Sequence, residues 1–271
     1  MIPRCNLHTH TSFCDGKNTA EEMVQGAIAL GCETLGFSGH STIEGAYWTM
    51  PAESNDEYIC EIKRLKEKYR DQIEIALGIE FDVRSKCDNS LYEYIIGAAH
   101  AVRNKDFCFD VDLSSDALKE NVDKYYGGDF YTFASEYYEG FYTLCDITKC
   151  DIVAHFDLVT KMNEGYVLFD ESDRRYRDAA LMALDYLLEK KELIFEMNTG
   201  AISRGYRKTP YPAEFILRRM AEKGARIMLN SDTHAANTIF TCFEEATDFA
   251  KYCGVKSFTI FKNGKFEEIG I

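Results

Sequence analysis

The sequence contains no run of about 18 uninterrupted apolar residues, so no membrane-spanning helix is expected. Its opening, MIPRCNLHTH, lacks both the charged stretch and the apolar core of a secretory leader. No Pro- or Ser-rich linker, internal repeat or low-complexity tract divides it. No CxxC pair occurs among the ten cysteines, at positions 5, 14, 32, 60, 87, 108, 145, 150, 242 and 253, and a chain of 271 residues does not need disulfide staples. That pattern fits reduced thiols in a cytoplasmic protein, with Cys14 a packing residue and no cysteine acting as a nucleophile. Positive charge is also scarce: 31 Lys and Arg face 45 Asp and Glu, for a formal charge of −14. Such a surface repels nucleic acid, whose binding rests on cationic contacts to phosphates, and favours a small substrate.

What is present is enough for a sizeable core. With 46% apolar residues, the chain is expected to form one domain over residues 1–271, a size that suits a β/α barrel. Short apolar runs at 4–8, 34–38, 74–80, 94–99, 151–155, 193–198 and 226–231 read as strands. They alternate with amphipathic stretches at 19–30, 54–69, 131–147, 171–190 and 212–223 that read as helices, the pattern of repeated β-α units around a parallel sheet. Thr19, with Glu22 three residues on, has the form of a capping box. Seven strands with their helices suggest a closed or nearly closed α/β barrel. The segment 101–130 has the weakest periodicity and is either a lid near the active site or a surface excursion. Asn263-Gly264, between alternating apolar positions, reads as a hairpin turn.

All six histidines fall at or just beyond the C-terminal end of an inferred strand: His8, His10, His40, His100, His155 and His234. In a β/α barrel those ends converge on one mouth, where catalytic sites sit, and imidazole is the commonest metal ligand. His8 and His10 are two apart, so on extended chain both side chains face one way. Glu80 closes the apolar run IEIALGIE, where a lone carboxylate is costly to desolvate, and Asp232 lies two residues before His234. Asp15 sits in the loop after HTH, where SFCDGKN also reads as an ordinary Asp-Gly turn.

These residues carry a resemblance. N-L-H-T-H and the Asp15 loop, then G-F-S-G-H-S, L-G-I-E-F-D, Y-I-I-G-A-A-H, D-I-V-A-H-F-D, E-M-N-T-G-A-I and N-S-D-T-H, spanning residues 6–234, resemble the PHP family and its histidinol-phosphatase branch. The resemblance implies a distorted seven-stranded (β/α)7 barrel and a trinuclear site of divalent zinc, manganese or iron. It also implies that His8, His10, Glu80 and Asp232 hold a first ion. Glu80 would bridge to a second with His100 and His155, and Asp15, His40 and His234 would hold a third. The implied reaction is hydrolysis of a small phosphate monoester, L-histidinol phosphate foremost, by water acidified between the ions. Another small ester, a nucleotide, or a catalytically silent metal-binding module remain as alternatives. An editing nuclease fits less well, because the chain is acidic and carries no polymerase segment.

Such chemistry needs cations for the phosphate and a proton source for the leaving alkoxide. Arg204, beyond an apolar strand at the expected mouth, can grip phosphate bidentately; Lys161 is a second cation, and Asn198 either orients the substrate or caps a strand. Asp232 and His234 are the candidate proton donors. After His40, STIEGAYWTM offers Glu44 for a substrate ammonium and Trp48 as an aromatic wall, or else forms a packed loop.

Overall fold

The computed structural model describes residues 1–85 and 88–271. Cys87 lies outside the described residues; the other cysteines are free thiols. The strands are β1 (Cys5–Asn6), β2 (Thr34–Phe37), β3 (Glu74–Asp82), β4 (Tyr94–Ala98), β5 (Ala101–Arg103), β6 (Cys108–Asp110), β7 (Ile152–Val153), β8 (Ile194–Asn198), β9 (Arg226–Asn230), β10 (Ser257–Lys262) and β11 (Lys265–Gly270). Seven of them form one parallel sheet in the order β1-β2-β3-β4-β7-β8-β9.

The sheet curls until its first and last strands meet. Beyond their ends Thr9 and Thr233 form a parallel bridge, with His10 N donating to Thr233 O at 2.8 Å and Thr233 N to His8 O at 3.1 Å. Lower in the seam, side chains replace backbone pairing: Leu7 N donates to Asn230 Oδ1 (2.9 Å) and Asn6 Nδ2 to Ser231 Oγ (2.7 Å). The result is the seven-stranded, nearly closed barrel expected, with a distorted seam.

Two apolar layers hold it. Between the strands and the outer helices, Phe37, Ile62, Leu65, Ile79, Phe133, Leu184 and Leu217 belong to the larger cluster. Inside the barrel a smaller cluster stacks Leu7, Ala76, Tyr94, Ile96, Ile152, Ile194 and Met228. Tyr94 fills the axis, its hydroxyl 2.5 Å from Leu7 O and 3.0 Å from Phe37 O. Gly36 and Gly78 make room for it, since a Cβ at either position would overlap the Tyr94 side chain. Below, the antiparallel β10–β11 hairpin closes the floor with Phe261 and Phe266. Asn263 and Gly264 turn it at φ 52° and 73°, the left-handed pair that a two-residue hairpin turn requires.

The helices Ala20–Ala29, Asn55–Lys68, Arg174–Leu187 and Glu214–Glu222 stand where the periodicity puts them. Thr19 and Glu22 make both hydrogen bonds of the capping box. Two expectations need correction, and one helix has no counterpart among them. The helix read over 131–147 is two, Phe130–Glu139 and Phe141–Thr148, meeting at Gly140. The segment 101–130 is not irregular: it holds the β5–β6 hairpin and a helix at Ser115–Tyr126. Strands of three residues are too short to show alternation, and that helix buries only Leu118 and Val122, too narrow a stripe to read. A further helix, Phe243–Tyr252, went unassigned. No helix among the described residues is long and apolar enough to cross a membrane.

Candidate metal centre

The C-terminal strand ends bring nine side chains to one place. Glu80, two residues before the end of β3, stands at the centre and is fully enclosed. Its Oε2 lies 2.7 Å from His40 Nδ1, 3.3 Å from His8 Nε2 and 3.6 Å from His10 Nε2; its Oε1 lies 3.1 Å from His155 Nε2 and 3.3 Å from His100 Nε2. Asp232 Oδ1 approaches His10 Nε2 at 3.1 Å and His8 Nε2 at 3.6 Å. His8 and His10 thus point to one centre, as their spacing predicts.

Asp15 comes from further away in the fold. The Asp15-Gly16 turn wraps back on HTH, with Gly16 N donating to Thr11 O (3.0 Å) and Lys17 N to His234 O (2.8 Å). A Cβ at Gly16 would collide with the backbone of His10 and Thr11, so this close return needs glycine. It carries the Asp15 carboxylate to 3.2 Å from His234 Nε2 and 3.7 Å from His40 Nε2. Exposure grades from zero for His8, His10 and Glu80 to 18% for the His234 side chain and 34% for Asp15 at the rim.

The residues present fit bound cations. His8 Nε2, His10 Nε2, His40 Nδ1 and Glu80 Oε2 are buried without a hydrogen-bond partner, even where they approach one another closely. Atoms so near yet misaligned for hydrogen bonding share a direction toward an electrophile between them, and leaving them unmet costs free energy. Four overlapping groups have ligand atoms within 4.8 Å of one another: His10, Asp15, His40 and His234; His8, Glu80 and His155; His8, His10 and Asp232; and His40, Glu80 and His100. Nitrogen and carboxylate donors of this kind suit zinc, manganese and iron. Shared members make the clusters a multinuclear site rather than separate ones.

Electrostatics prepare the ligands unequally. Burial, then His234 and His40, pushes His10 down to about 3, which keeps its imidazole neutral. For His8, burial disfavours the charged form, but Glu196, Glu80 and Asp232 raise it well above the usual value. Burial also opposes ionisation of Asp232, yet Arg204, His8, His10 and His234 hold it well below the usual carboxylate range. Asp232 adopts φ 48°, a left-handed backbone that is costly for most residues and recurs at functional sites.

The cluster opens into a cavity of about 500 Å³. Trp48, Lys161 and Arg204 line it. Trp48 packs edge-on to His40 at 4.6 Å and also against His100. Arg204 donates to Asp232 Oδ2 and to Asp232 O, each at 2.9 Å, and its Nη1 lies 2.9 Å from His234 Nδ1. Glu44, by contrast, is exposed and stands outside the cavity lining. Asn198 is also outside it: buried, it donates to Glu196 Oε2 at 2.8 Å and accepts from Gly200 N.

A PHP domain matches residues 6–200. The chain belongs to the PHP family. Among relatives of this PHP protein, a candidate histidinol-phosphatase of Schizosaccharomyces pombe is 27% identical over 285 residues, covering 95% of this chain and 89% of that one. The histidinol-phosphatase of Bacillus subtilis is 23% identical over 261 residues, or 88% and 96% of the two chains. In fold, a crystal structure of a candidate histidinol phosphatase from Listeria monocytogenes superposes with a TM-score of 0.77 at 19% identity, over 89% of this chain and 98% of that one. The histidinol phosphate phosphatase of Lactococcus lactis subsp. lactis, crystallised with zinc, L-histidinol and phosphate, gives 0.67 at 20% identity over 97% and 98%.

Two carboxylates behind the histidines escaped the sequence reading. Glu196 accepts from His8 Nδ1 (2.6 Å), Asn230 Nδ2 (3.0 Å), the His155 backbone N–H (2.9 Å) and Asn198, joining β8 to both neighbouring strands and to β1. Asp82 lies 3.0 Å from His100 Nδ1 and is gripped by Arg84. Each fixes which ring nitrogen faces the centre. A period-two reading would have found them, because Glu196 precedes Asn198 and Asp82 follows Glu80 by two.

Proposed function

We propose that this PHP protein is a metal-dependent phosphatase that hydrolyses L-histidinol phosphate to L-histidinol and inorganic phosphate. One observation carries the reading: every histidine of the chain, with Asp15, Glu80 and Asp232, converges beside a cavity that also presents Arg204 and Lys161. The names of the Bacillus and Lactococcus relatives, and the ligands of the Lactococcus structure, support the choice of substrate.

In this reading three divalent ions, zinc, manganese or iron, are held as follows. His8, His10, Glu80 and Asp232 would hold the first; Glu80 would be shared with the second, held also by His100 and His155; Asp15, His40 and His234 would hold the third. His40 has Nδ1 toward Glu80 and Nε2 toward Asp15. Ions bound there acidify water and neutralise phosphoryl oxygens. Arg204 lines the cavity and holds Asp232 ionised, and its Nη2 keeps one hydrogen for a phosphate oxygen. Asp232 is held ionised and His234 gives its ring to the third ion, so each is compromised as an acid toward the leaving alkoxide.

The test is kcat/KM across L-histidinol phosphate, other phosphomonoesters and nucleotides, on protein of measured metal content. L-Histidinol phosphate should lead the panel. A higher value for another ester would move the assignment to that ester. No phosphate release from any of them by fully metal-loaded protein would leave a silent metal-binding module.

A further inference from the structure

Part of the cavity wall belongs to residues that ligate nothing. Val111 N donates to His100 O at 2.8 Å, which fixes the chain after β6 against the fourth histidine and sets Asp112 at the cavity edge. There Asp112 Oδ2 meets Lys161 Nζ at 2.9 Å. The lysine comes from the loop after β7, and its Nζ also lies over the face of Tyr206, 5.0 Å from the ring centroid. Asp112 keeps 29% of its side-chain surface exposed and Lys161 12%. The neighbouring wall pair differs: Arg84 holds Asp110 at 2.7 Å but also grips both oxygens of buried Asp82, so it cannot leave. Asp112–Lys161 is therefore the pair a ligand can open.

Opening it has an asymmetric consequence. A phosphate ester that draws Lys161 onto its phosphoryl oxygens strips Asp112 of its cation and sets a second anion beside it, in a pocket where a charge without a partner is costly. An ester that also carries an ammonium replaces what it removes: its phosphate takes Lys161 and its ammonium takes Asp112, so one internal pair becomes two pairs with substrate. We propose that Asp112 and Lys161 form an exchangeable ion pair that selects phosphate monoesters bearing an ammonium on the leaving group. Asp112 thus takes the place that the sequence assigns to Glu44. The inference rests on the phosphatase reading above and adds the residue that discriminates among its substrates.

The test compares L-histidinol phosphate with the same ester lacking the amine, on metal-loaded full-length protein. Wild type should prefer the amine. Asp112→Asn should lower kcat/KM for the amine-bearing ester by roughly ten- to a hundred-fold, the range of a lost charged hydrogen bond. It should raise kcat/KM for the amine-free ester, because Lys161 no longer has to leave a carboxylate. Lys161→Gln supplies the opposite sign: it leaves Asp112 uncompensated, so the preference for the amine should widen even as both values fall. Equal losses on both esters in Asp112→Asn, or no widening in Lys161→Gln, overturn the proposal. Wild type that hydrolyses both esters equally overturns this inference alone. If it releases no phosphate from either ester or from p-nitrophenyl phosphate, the phosphatase reading fails with it.

Discussion

At the lower end of the barrel, Ala76, Tyr94, Ile194 and Met228 point inward and pack into a cluster sealed by the β10–β11 hairpin. Climbing the same strands by twos, the inward columns turn polar. Ala76 and Gly78 lead to Glu80 and Asp82, Tyr94 and Ile96 to Ala98 and His100, Ile194 to Glu196 and Asn198, and Met228 to Asn230 and Asp232. The floor gains free energy from apolar burial, on the order of 25 cal/mol per Å². The mouth encloses carboxylates and imidazoles that cost free energy unless something meets them. One strand thus serves both ends through its period-two alternation, with stability drawn from the floor and chemistry placed at the mouth.

Removing what the mouth is built to hold should break the comparison most severely. Strong chelation should abolish turnover and lower the melting temperature, because buried His8, His10 and Glu80 lose their partners while the floor is untouched. Undiminished turnover in protein shown by elemental analysis to be metal-free would falsify the metal assignment. Glu80→Gln sharpens the same point, since a bridging carboxylate should cost occupancy at two positions together.

Arg204→Ala should act within the mouth by a smaller amount. Loss of a charge-assisted hydrogen bond of about 1.5–3 kcal/mol corresponds to a fall in kcat/KM of roughly one to two powers of ten. Arg204→Lys should restore only part, because an ammonium lacks the planar fork. The metal complement should stay intact. Loss of an ion along with activity would show that Arg204 works chiefly by holding Asp232, to which it is bonded at 2.9 Å.

At the floor, Gly78→Ala should do the reverse. Its Cβ would overlap the Tyr94 ring, and overpacking of this kind costs about 1–3 kcal/mol, a fall of a few degrees in Tm for a chain of this size. Metal content and kcat per folded chain should remain as in wild type. A variant that keeps its Tm but loses metal would mean that the two ends are mechanically coupled.

The columns also explain how far the site is legible in the sequence. Glu80 and His100 continue inward alternations, and so could be read as mouth residues from the apolar runs that precede them. Glu196 and Asp82 obey the same rule, each two residues from an inward-facing neighbour on its strand. On β1 and β7 the regular strand stops at Asn6 and Val153, so His8 and His155 stand on chain whose direction strand periodicity does not settle. Glu44 and Asp112 show the opposite limit. Both are acids in loops beyond strand ends, and nothing local distinguishes the exposed one from the one against the cavity.

By itself the sequence determined the alternation of strands and helices, the histidines at the strand ends, the capping box at Thr19 and the turn at Asn263-Gly264. All of these depend on residues a few positions apart, where backbone geometry ties spacing to direction. Only the tertiary structure decided that the β1–β9 seam closes through Thr9 and Thr233, and that Glu80 lies at the centre of five imidazoles. It also decided that Arg204 folds back on Asp232 and that Lys161 meets Asp112. Those contacts join residues tens to hundreds of positions apart, and their geometry exists only once barrel closure has brought the strand ends together.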